Sequence, residues 1–330
     1  MLKYLEWWNS LDPFNETEIQ FLEEKRSAEP TKDEGFEKVE NVLFSKMPLF
    51  NNFQDYHISF DYCATDIIKK LFEQYVDNDT LVIYSNCEHD NVKACTASCK
   101  NSLEIDHQRE IRALDYSKIL SAIKKYKKVF IYIIGTQISS GEITPQLFFI
   151  KLKELLLLNN IKHTIVLDDV HGMFIIPRDY SLFDHIINTA HALIEGFDLG
   201  IVISKNKPFA IQATNWGVEY IQKLCIILNR LPKLNLFHHC MENYFTSYLA
   251  RDYISVPNRT APHIFALKTT GLTFSAQSYE LLHNYTISLQ GIDQHETYIR
   301  FRAAQIMRNP DTFYKGLNYL QRLMQEMGIN

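Results

Sequence analysis

The sequence lacks the features that mark several large classes of protein. Its 34 Lys and Arg residues against 39 Asp and Glu residues give a net charge of −5, without a long basic run that would bind nucleic acid. Apolar runs such as "VFIYIIG" fall well short of the roughly 20 residues that a membrane-spanning helix needs. The first residues, "MLKYLEWWNSLDPF", are unlike a signal or transit peptide. We therefore expect a cytoplasmic protein with no nucleic-acid or membrane partner.

Cysteine is also scarce. The six cysteines are too few and too scattered for a disulfide framework in a chain of 330 residues, so reduced thiols are expected. Cys87, His89, Cys95 and Cys99 lack the paired C-x2-C spacing of structural zinc sites, so no metal is predicted there.

What the chain does contain is an alternation of apolar strands and helices. The strand candidates are "YHISF", "TLVIYS", "SLEID", "KVFIYIIG", "HTIVLDD", "DHIINT" and "LGIVIS". The helices between them are predicted over 63–76, 90–99, 115–126 and 145–159. Continuous β-branched runs separated by helices are typical of an α/β fold, in which a mostly parallel sheet is covered on both faces.

Changes of pattern divide the chain into three predicted parts. Residues 1–55 form an N-terminal arm, 56–215 a three-layer α/β/α large domain, and 216–330 a small α+β domain. The small domain contains longer helices, the segments "SVPNRTAPHIFALKTTGLTF" and "TYIRFRAAQ", and a final helix over about 310–328. In open parallel sheets the functional groups lie beyond the carboxyl ends of the strands, so the site is expected there.

The first candidate site segment is the turn from a strand into a helix at "FDYCATDIIKKLF". Backbone amides at the positive end of the helix dipole can point at an anion, which would make this turn a phosphate-binding site. The amides are those of Tyr62, Cys63, Ala64 and Thr65. An ordinary N-cap formed by Asp61 is the competing interpretation, and capping preference favours it.

Three later segments place polar side chains after strands. In "IYSNCEHDNVKA", His89 follows a strand, where its flat ring can stack on a bound heterocycle. In "TIVLDDVHGMF", Asp168 and His171 follow another strand. The segment "IYIIGTQISSGEITP" supplies further polar residues at a strand end, namely Thr136, Gln137, Ser139 and Ser140.

Taken in this order, the segments resemble the large domain of fold-type-I pyridoxal-phosphate enzymes, the aspartate aminotransferase superfamily. "LDDVHG" is similar to the D-D-A-H-G of α-oxoamine synthases, and "CEHDNVKA" resembles the E-H-x-x-V of class V aminotransferases and cysteine desulfurases. The resemblance covers about residues 56–206. It implies pyridoxal 5'-phosphate as the cofactor and a homodimer with its active site at the subunit junction and the N-terminal arm packed on the neighbour.

The resemblance also implies roles for individual residues. Asp168 would keep the pyridine nitrogen protonated, so that the ring accepts electrons from a carbanion. His89 would stack on the ring, His171 would lie near its 3-oxygen, and Asp169 would be structural. The other cofactor contacts would be Gln137 and the phosphate turn, namely Tyr62, Cys63, Ala64 and Thr65.

In "HETYIRFRAAQ", Arg300 matches the small-domain arginine that in this superfamily forms a bidentate pair with a substrate carboxylate. Arg302 is the alternative candidate for this role. An edge strand with solvated basic residues alternating outward is an equally open interpretation.

One essential residue of the superfamily is missing. Its enzymes bind the cofactor through a lysine just after the strand that follows the aspartate, but "DHIINTAHALIEGFDLGIVISK" has no lysine between Asp184 and Ser204. One alignment puts Ala192 at the lysine position, and another puts His191 there. Three explanations stay open: an engineered replacement at 192, a natural protein that uses His191 as its base, and a non-catalytic relative. Lys205 lies beyond the next strand and is a poor substitute.

The resulting hypothesis is an enzyme that acts on an amino-acid substrate through an external aldimine, as a transferase of aminotransferase or α-oxoamine-synthase type. A desulfurase would need a mobile cysteine loop, whereas Cys225 and Cys240 lie in apolar, helical surroundings. The alternative is a non-catalytic scaffold, with which the low glycine content of 11 is compatible. In a third hypothesis, Asp168, Asp169 and His171 bind a divalent metal in an unrelated hydrolase, whose usual motifs are missing.

Overall fold

The computed structural model contains two β-sheets and the helices that pack on them. It describes residues 20, 24, 53, 56–61, 63–172, 176, 178–189, 200–205, 241, 254–255, 261, 264–270, 274–285, 287–291, 296–302 and 310–328. Most of the predicted N-terminal arm and the long helices predicted directly after Trp216 lie outside these residues, so the domain boundaries stay predictions. None of the helices within the described ranges is long and apolar enough to span a membrane.

A seven-stranded sheet forms the larger part of the fold. Its strands are β1 (His57–Asp61), β2 (Thr80–Ser85), β3 (Ser102–Ile105), β4 (Lys128–Ile134), β5 (Lys162–Asp168), β6 (His185–Thr189) and β7 (Gly200–Ser204). Their order across the sheet is β1, β7, β6, β5, β4, β2, β3. Strands β2 to β6 pair in parallel, and β7 pairs antiparallel with both of its neighbours. The predicted mostly parallel sheet is confirmed.

Helices cover both faces of this sheet. They are α1 (Ala64–Tyr75), α2 (Asp90–Ala97), α3 (Ser117–Ile123) and α4 (Gln146–Leu158), with a π-helix at His107–Arg112 and a 3-10 turn at Tyr180–Leu182. Because successive side chains of a strand point to opposite faces, Phe130 packs with the cluster of α1 while Ile131 packs with that of α4. Burial on both faces explains the continuous apolar runs of the strands.

The second sheet is antiparallel and lies in the C-terminal part. Its strands are β8 (Ile254–Ser255), β9 (Ile264–Thr270), β10 (Ile287–Gly291) and β11 (Glu296–Arg302), in the order β10, β11, β9, β8, accompanied by α5 (Ala276–Asn284) and α6 (Pro310–Glu326). This agrees with the predicted small α+β unit. The backbone N–H of Ala261 donates to the carbonyl oxygen of Gly141 over 2.7 Å, so this part contacts the segment that follows β4.

Candidate functional site

Asp168 lies at the carboxyl end of β5, opposite Ile134 of β4, and only 3 % of it is exposed. The hydroxyl of Tyr132 donates to its Oδ2 over 2.7 Å, and the N–H of Val170 donates to its Oδ1 over 3.3 Å. The carboxylate is therefore held between its own turn and the neighbouring strand. Since a carboxylate oxygen accepts about two hydrogen bonds, Oδ1 has capacity for a further donor.

The environment of Asp168 favours a cationic partner. Burial raises its pKa to about 6, and the hydrogen bond from Tyr132 and the nearby His89 oppose this rise. The group is therefore mostly ionised at neutral pH. Within the described part of the chain, no Lys or Arg forms an ion pair with it. A buried carboxylate without such a partner is suited to a protonated ring nitrogen.

The contacts of Asp169 indicate a structural role. It is fully buried, its Oδ1 lies 3.1 Å from Nε of Arg178, and its Oδ2 accepts a hydrogen bond of 3.2 Å from the hydroxyl of Tyr180. Arg178 also donates to the carbonyl oxygens of Gly135 and Thr144, over 2.6 and 3.2 Å. Among the described residues, no group of three or more His, Cys, Asp and Glu side chains is placed to hold a metal ion. The metal hypothesis therefore has no ligand set there.

Helix α1 begins without a side-chain cap. The N-cap of α1 is Cys63, which makes no capping hydrogen bond with its side chain. The prediction that Asp61 caps this helix is wrong: Asp61 is the last residue of β1, and its Oδ2 lies 2.8 Å from Nζ of Lys70. The first-turn amides of α1, at Ala64 and Thr65, thus lack a side-chain cap and are suited to an anion. Tyr62 lies outside the described residues.

His89 lies near the start of α1, and its stacking on a cofactor ring stays a prediction. It is the N-cap of α2, and its Nδ1 accepts a hydrogen bond of 3.2 Å from the N–H of Asn91. The side-chain amide of Asn91 donates to Oγ1 of Thr65 over 2.8 Å. The two predicted contact regions, His89 and the start of α1, are therefore joined by a single side chain.

Gln137 lies in the segment that follows β4, and Arg300 of β11 contacts the same segment. Gln137 is fully buried, its Oε1 accepts from Oγ of Ser140 over 2.8 Å, and its Nε2 has no hydrogen-bond partner among the described residues. Arg300 is buried, and its Nη1 donates to the carbonyl oxygen of Ile138 over 2.7 Å. Because β11 lies between β10 and β9, the interpretation of Arg300 as a solvated residue of an edge strand is wrong. His171 is also buried, in the turn after β5.

The position expected for the lysine lies between β6 and β7. Thr189 and Gly200 are paired in the antiparallel ladder at the facing ends of these strands. A Cβ atom at Gly200 would lie 2.7 Å from the carbonyl carbon and oxygen of Cys63, so the start of β7 presses against the turn before α1. His191 and Ala192, which lie between the strands, are outside the described residues.

Glu88 was not predicted as part of this site. It is buried, and its Oε1 accepts hydrogen bonds from the N–H of Ile134 over 2.8 Å and from Oγ of Ser85 over 3.0 Å. Burial and, second, the charge of Asp168 raise its pKa well above the usual value. Its signal in the sequence was the first position of the E-H-x-x-V pattern, directly before His89 in a turn that follows a buried strand.

No protein-family model matches this sequence, and no curated protein matches it either. Among solved structures, a NifS-like protein from Rickettsia africae matches 94 % of this chain and 96 % of its own, with a TM-score of 0.69 and 11 % identity. Serine palmitoyltransferase of Sphingomonas wittichii matches with a TM-score of 0.68 and 10 % identity, covering 96 % of this chain and 85 % of its own.

A third similar structure is a pyridoxal-phosphate-bound C-S lyase from Staphylococcus hominis, solved in the external aldimine form with the inhibitor L-cycloserine. It has a TM-score of 0.67 and 12 % identity, and the match covers 94 % of this chain and 90 % of the lyase. At such low identities the likeness concerns the fold alone. The chain therefore has the fold of the fold-type-I pyridoxal-phosphate enzymes, as the order of its motifs predicted.

Proposed function

We propose that this protein binds pyridoxal 5'-phosphate at the carboxyl edge of the large sheet and acts on an amino-acid substrate, as a transferase of the aminotransferase or α-oxoamine-synthase type. The observation that carries the proposal is Asp168: a buried carboxylate at a strand end, without a Lys or Arg partner in the described part. It lies in a fold shared with a pyridoxal-phosphate-bound lyase. A homodimer and a cytoplasmic location remain predictions.

The residues present fit the ring and the phosphate. Oδ1 of Asp168 can accept a hydrogen bond from the protonated ring nitrogen. The first turn of α1, which includes Thr65 and has no side-chain cap, can bind the phosphate. Nε2 of Gln137 is a buried donor without a partner among the described residues, as expected for a group that meets a ligand oxygen. When bound, the cofactor supplies an electron sink for the substrate carbon. Arg300 is the proposed partner of the substrate carboxylate.

A specific observation favours a second candidate, a protein that binds the cofactor without catalysing a reaction. No lysine lies between Asp184 and Ser204, so the chain offers no amine there to hold the cofactor covalently or to move a proton. His191 is the proposed base if the protein is nonetheless active. The two candidates share the binding site and differ only in this segment.

A spectroscopic titration tests the proposal. Purified protein is titrated with pyridoxal phosphate, and we expect a saturable change in the cofactor absorbance and in its circular dichroism. A free-aldehyde spectrum that stays unchanged at every concentration would exclude both candidates.

Two single replacements then separate the candidates. Ala192→Lys and His191→Lys are each incubated with the cofactor, reduced with borohydride and analysed by mass spectrometry. We expect a cofactor adduct on one of the two introduced lysines, with an amino-acid-dependent reaction in that variant. If neither lysine forms an adduct, the non-catalytic candidate is favoured.

The affinity for pyridoxal phosphate should depend on pH through Asp168, whose pKa in the free protein is about 6. Above this pH the carboxylate is ready to accept the protonated ring nitrogen. Below it, binding must release the proton of Asp168, so the dissociation constant should rise by up to about tenfold per pH unit. The cofactor phosphate also titrates in this range, and Asp168→Asn is the control because it retains that effect. Equal pH profiles of the two proteins would contradict the role of Asp168.

A further inference from the structure

Glu88 has an uneven set of hydrogen bonds. The N–H of Ile134 and the hydroxyl of Ser85 both donate to Oε1, whereas Oε2 is buried and has no hydrogen-bond partner in the described part of the chain. In a neutral carboxylic acid, one oxygen carries the proton and the other accepts hydrogen bonds. The pattern around Glu88 is that of such an acid, with its proton on Oε2.

Among the described residues, no Lys or Arg forms an ion pair with Glu88 that could compensate its charge. The charge of Asp168 on β5 adds to the effect of burial in raising the pKa of Glu88, and the titratable groups whose pKa the charge of Glu88 raises are Tyr132 on β4 and the adjacent Cys87. Asp168 has a hydrogen-bond donor on each oxygen and His89 nearby. Because two buried like charges are costly, the one negative charge belongs on Asp168.

We propose that Glu88 is a positioning residue that stays protonated, so that Glu88 and Asp168 together carry a single negative charge, and that it fixes the turn bearing His89 to the end of β4. The second part of this inference rests on the proposed function, in which His89 and Asp168 contact the cofactor ring.

The position of Glu88 suits this role. It directly precedes His89, and the residue whose N–H it accepts, Ile134, lies opposite Asp168 in the ladder between β4 and β5. Its hydrogen bonds therefore connect the turn that carries His89 to β4, the strand next to Asp168. With Glu88 neutral, the single charge of Asp168 matches the single positive charge of a protonated ring nitrogen. An ionised Glu88 would add a surplus negative charge near a cofactor that already carries a phosphate.

Infrared spectroscopy of the protein alone tests the protonation state. At pH 8 most carboxyl groups are ionised, so a carbonyl band of a carboxylic acid identifies a neutral one. We expect such a band in the wild type, shifted by 13C labelling of glutamate and lost in Glu88→Gln. It should persist in Glu142→Gln and Glu110→Gln, which alter other buried acids. If Glu88→Gln does not fold, the labelled wild type and these two variants still assign the band. Its absence from the wild type would overturn the proposal.

Cofactor affinity tests the positioning role. We expect Glu88→Ala to weaken the binding of pyridoxal phosphate about tenfold, while Glu88→Gln, which keeps a neutral group of the same shape, recovers most of this loss. Equal losses in both variants would mean that the charge of Glu88 matters and would contradict a protonated acid. Since the infrared test contains no cofactor, a protein that fails to bind pyridoxal phosphate would refute the proposed function without deciding the state of Glu88.

Discussion

Asp168→Asn should weaken the binding of pyridoxal phosphate by about a hundredfold or more, because breaking a buried charged pair costs about 3 kcal/mol or more. The asparagine side chain has the same shape, and its amide oxygen can still accept the hydrogen bond from the hydroxyl of Tyr132, so the fold should be retained. What is lost is the negative charge that stabilises a protonated ring nitrogen. Equilibrium dialysis or fluorescence titration at pH 8 measures the change.

A matched control is Asp184→Asn. Asp184 also accepts a backbone hydrogen bond, from the N–H of Ile165 over 2.8 Å, but it lies before the start of β6, at the opposite edge of the sheet from Asp168. Its replacement should leave the affinity within about twofold of the wild type, since a change at the opposite edge of the sheet removes no contact of the proposed cofactor site. A similar affinity in Asp168→Asn would show that the ring nitrogen does not face Asp168.

The largest effect on stability is expected from Arg178→Met. Arg178 and Asp169 are an almost fully buried ion pair, with side-chain exposures of 3 % and 0 %. Removing the guanidinium leaves the carboxylate of Asp169 buried without its counter-charge, which should lower the free energy of unfolding by about 3–5 kcal/mol. It also removes the hydrogen bonds that hold the carbonyl oxygens of Gly135 and Thr144. Urea denaturation at pH 7 measures this loss.

The control is Arg109→Met. Arg109 pairs with Asp115 over 3.1 Å, but their side chains are 70 % and 36 % exposed, so the replacement should cost less than about 1 kcal/mol. In Arg178→Met the loss should shrink as the pH falls, because burial raises the pKa of Asp169 and protonation removes the uncompensated charge. A loss below about 1 kcal/mol in Arg178→Met would contradict the structural role of this pair.

The large sheet was predictable because its strands are buried on both faces. Their continuous apolar runs mark them clearly, and the helix predicted over 63–76 is observed at Ala64–Tyr75. The direction of β7 was not predictable, since a buried antiparallel strand has the same apolar pattern as a buried parallel one. The cap at Asp61 was wrongly predicted because β1 pairs with β7 as far as Asp61, which keeps that residue within the strand.

For the candidate site, the sequence indicated residues with a motif and missed those defined by their partners. Asp168 and His89 stood in recognisable patterns, and the structure places both at the predicted edge. Tyr132 and Arg178 carry no pattern, and Glu88 stood in the E-H-x-x-V pattern without a role of its own, because the importance of these residues comes from contacts made across neighbouring strands and turns. Burial of a charged side chain is a property of the folded chain, and a single sequence does not show it.

The pairing of Thr189 with Gly200 has a consequence for protein engineering. Paired residues of an antiparallel ladder lie about 5 Å apart, and this pair forms the last step between β6 and β7. Residues 190–199 therefore connect two anchor points that the sheet itself fixes. We expect that a segment of the same length, carrying a lysine, can replace residues 190–199 without altering the pairing of either strand. Under the proposed function, such an exchange would add a covalent link to the cofactor in a single step.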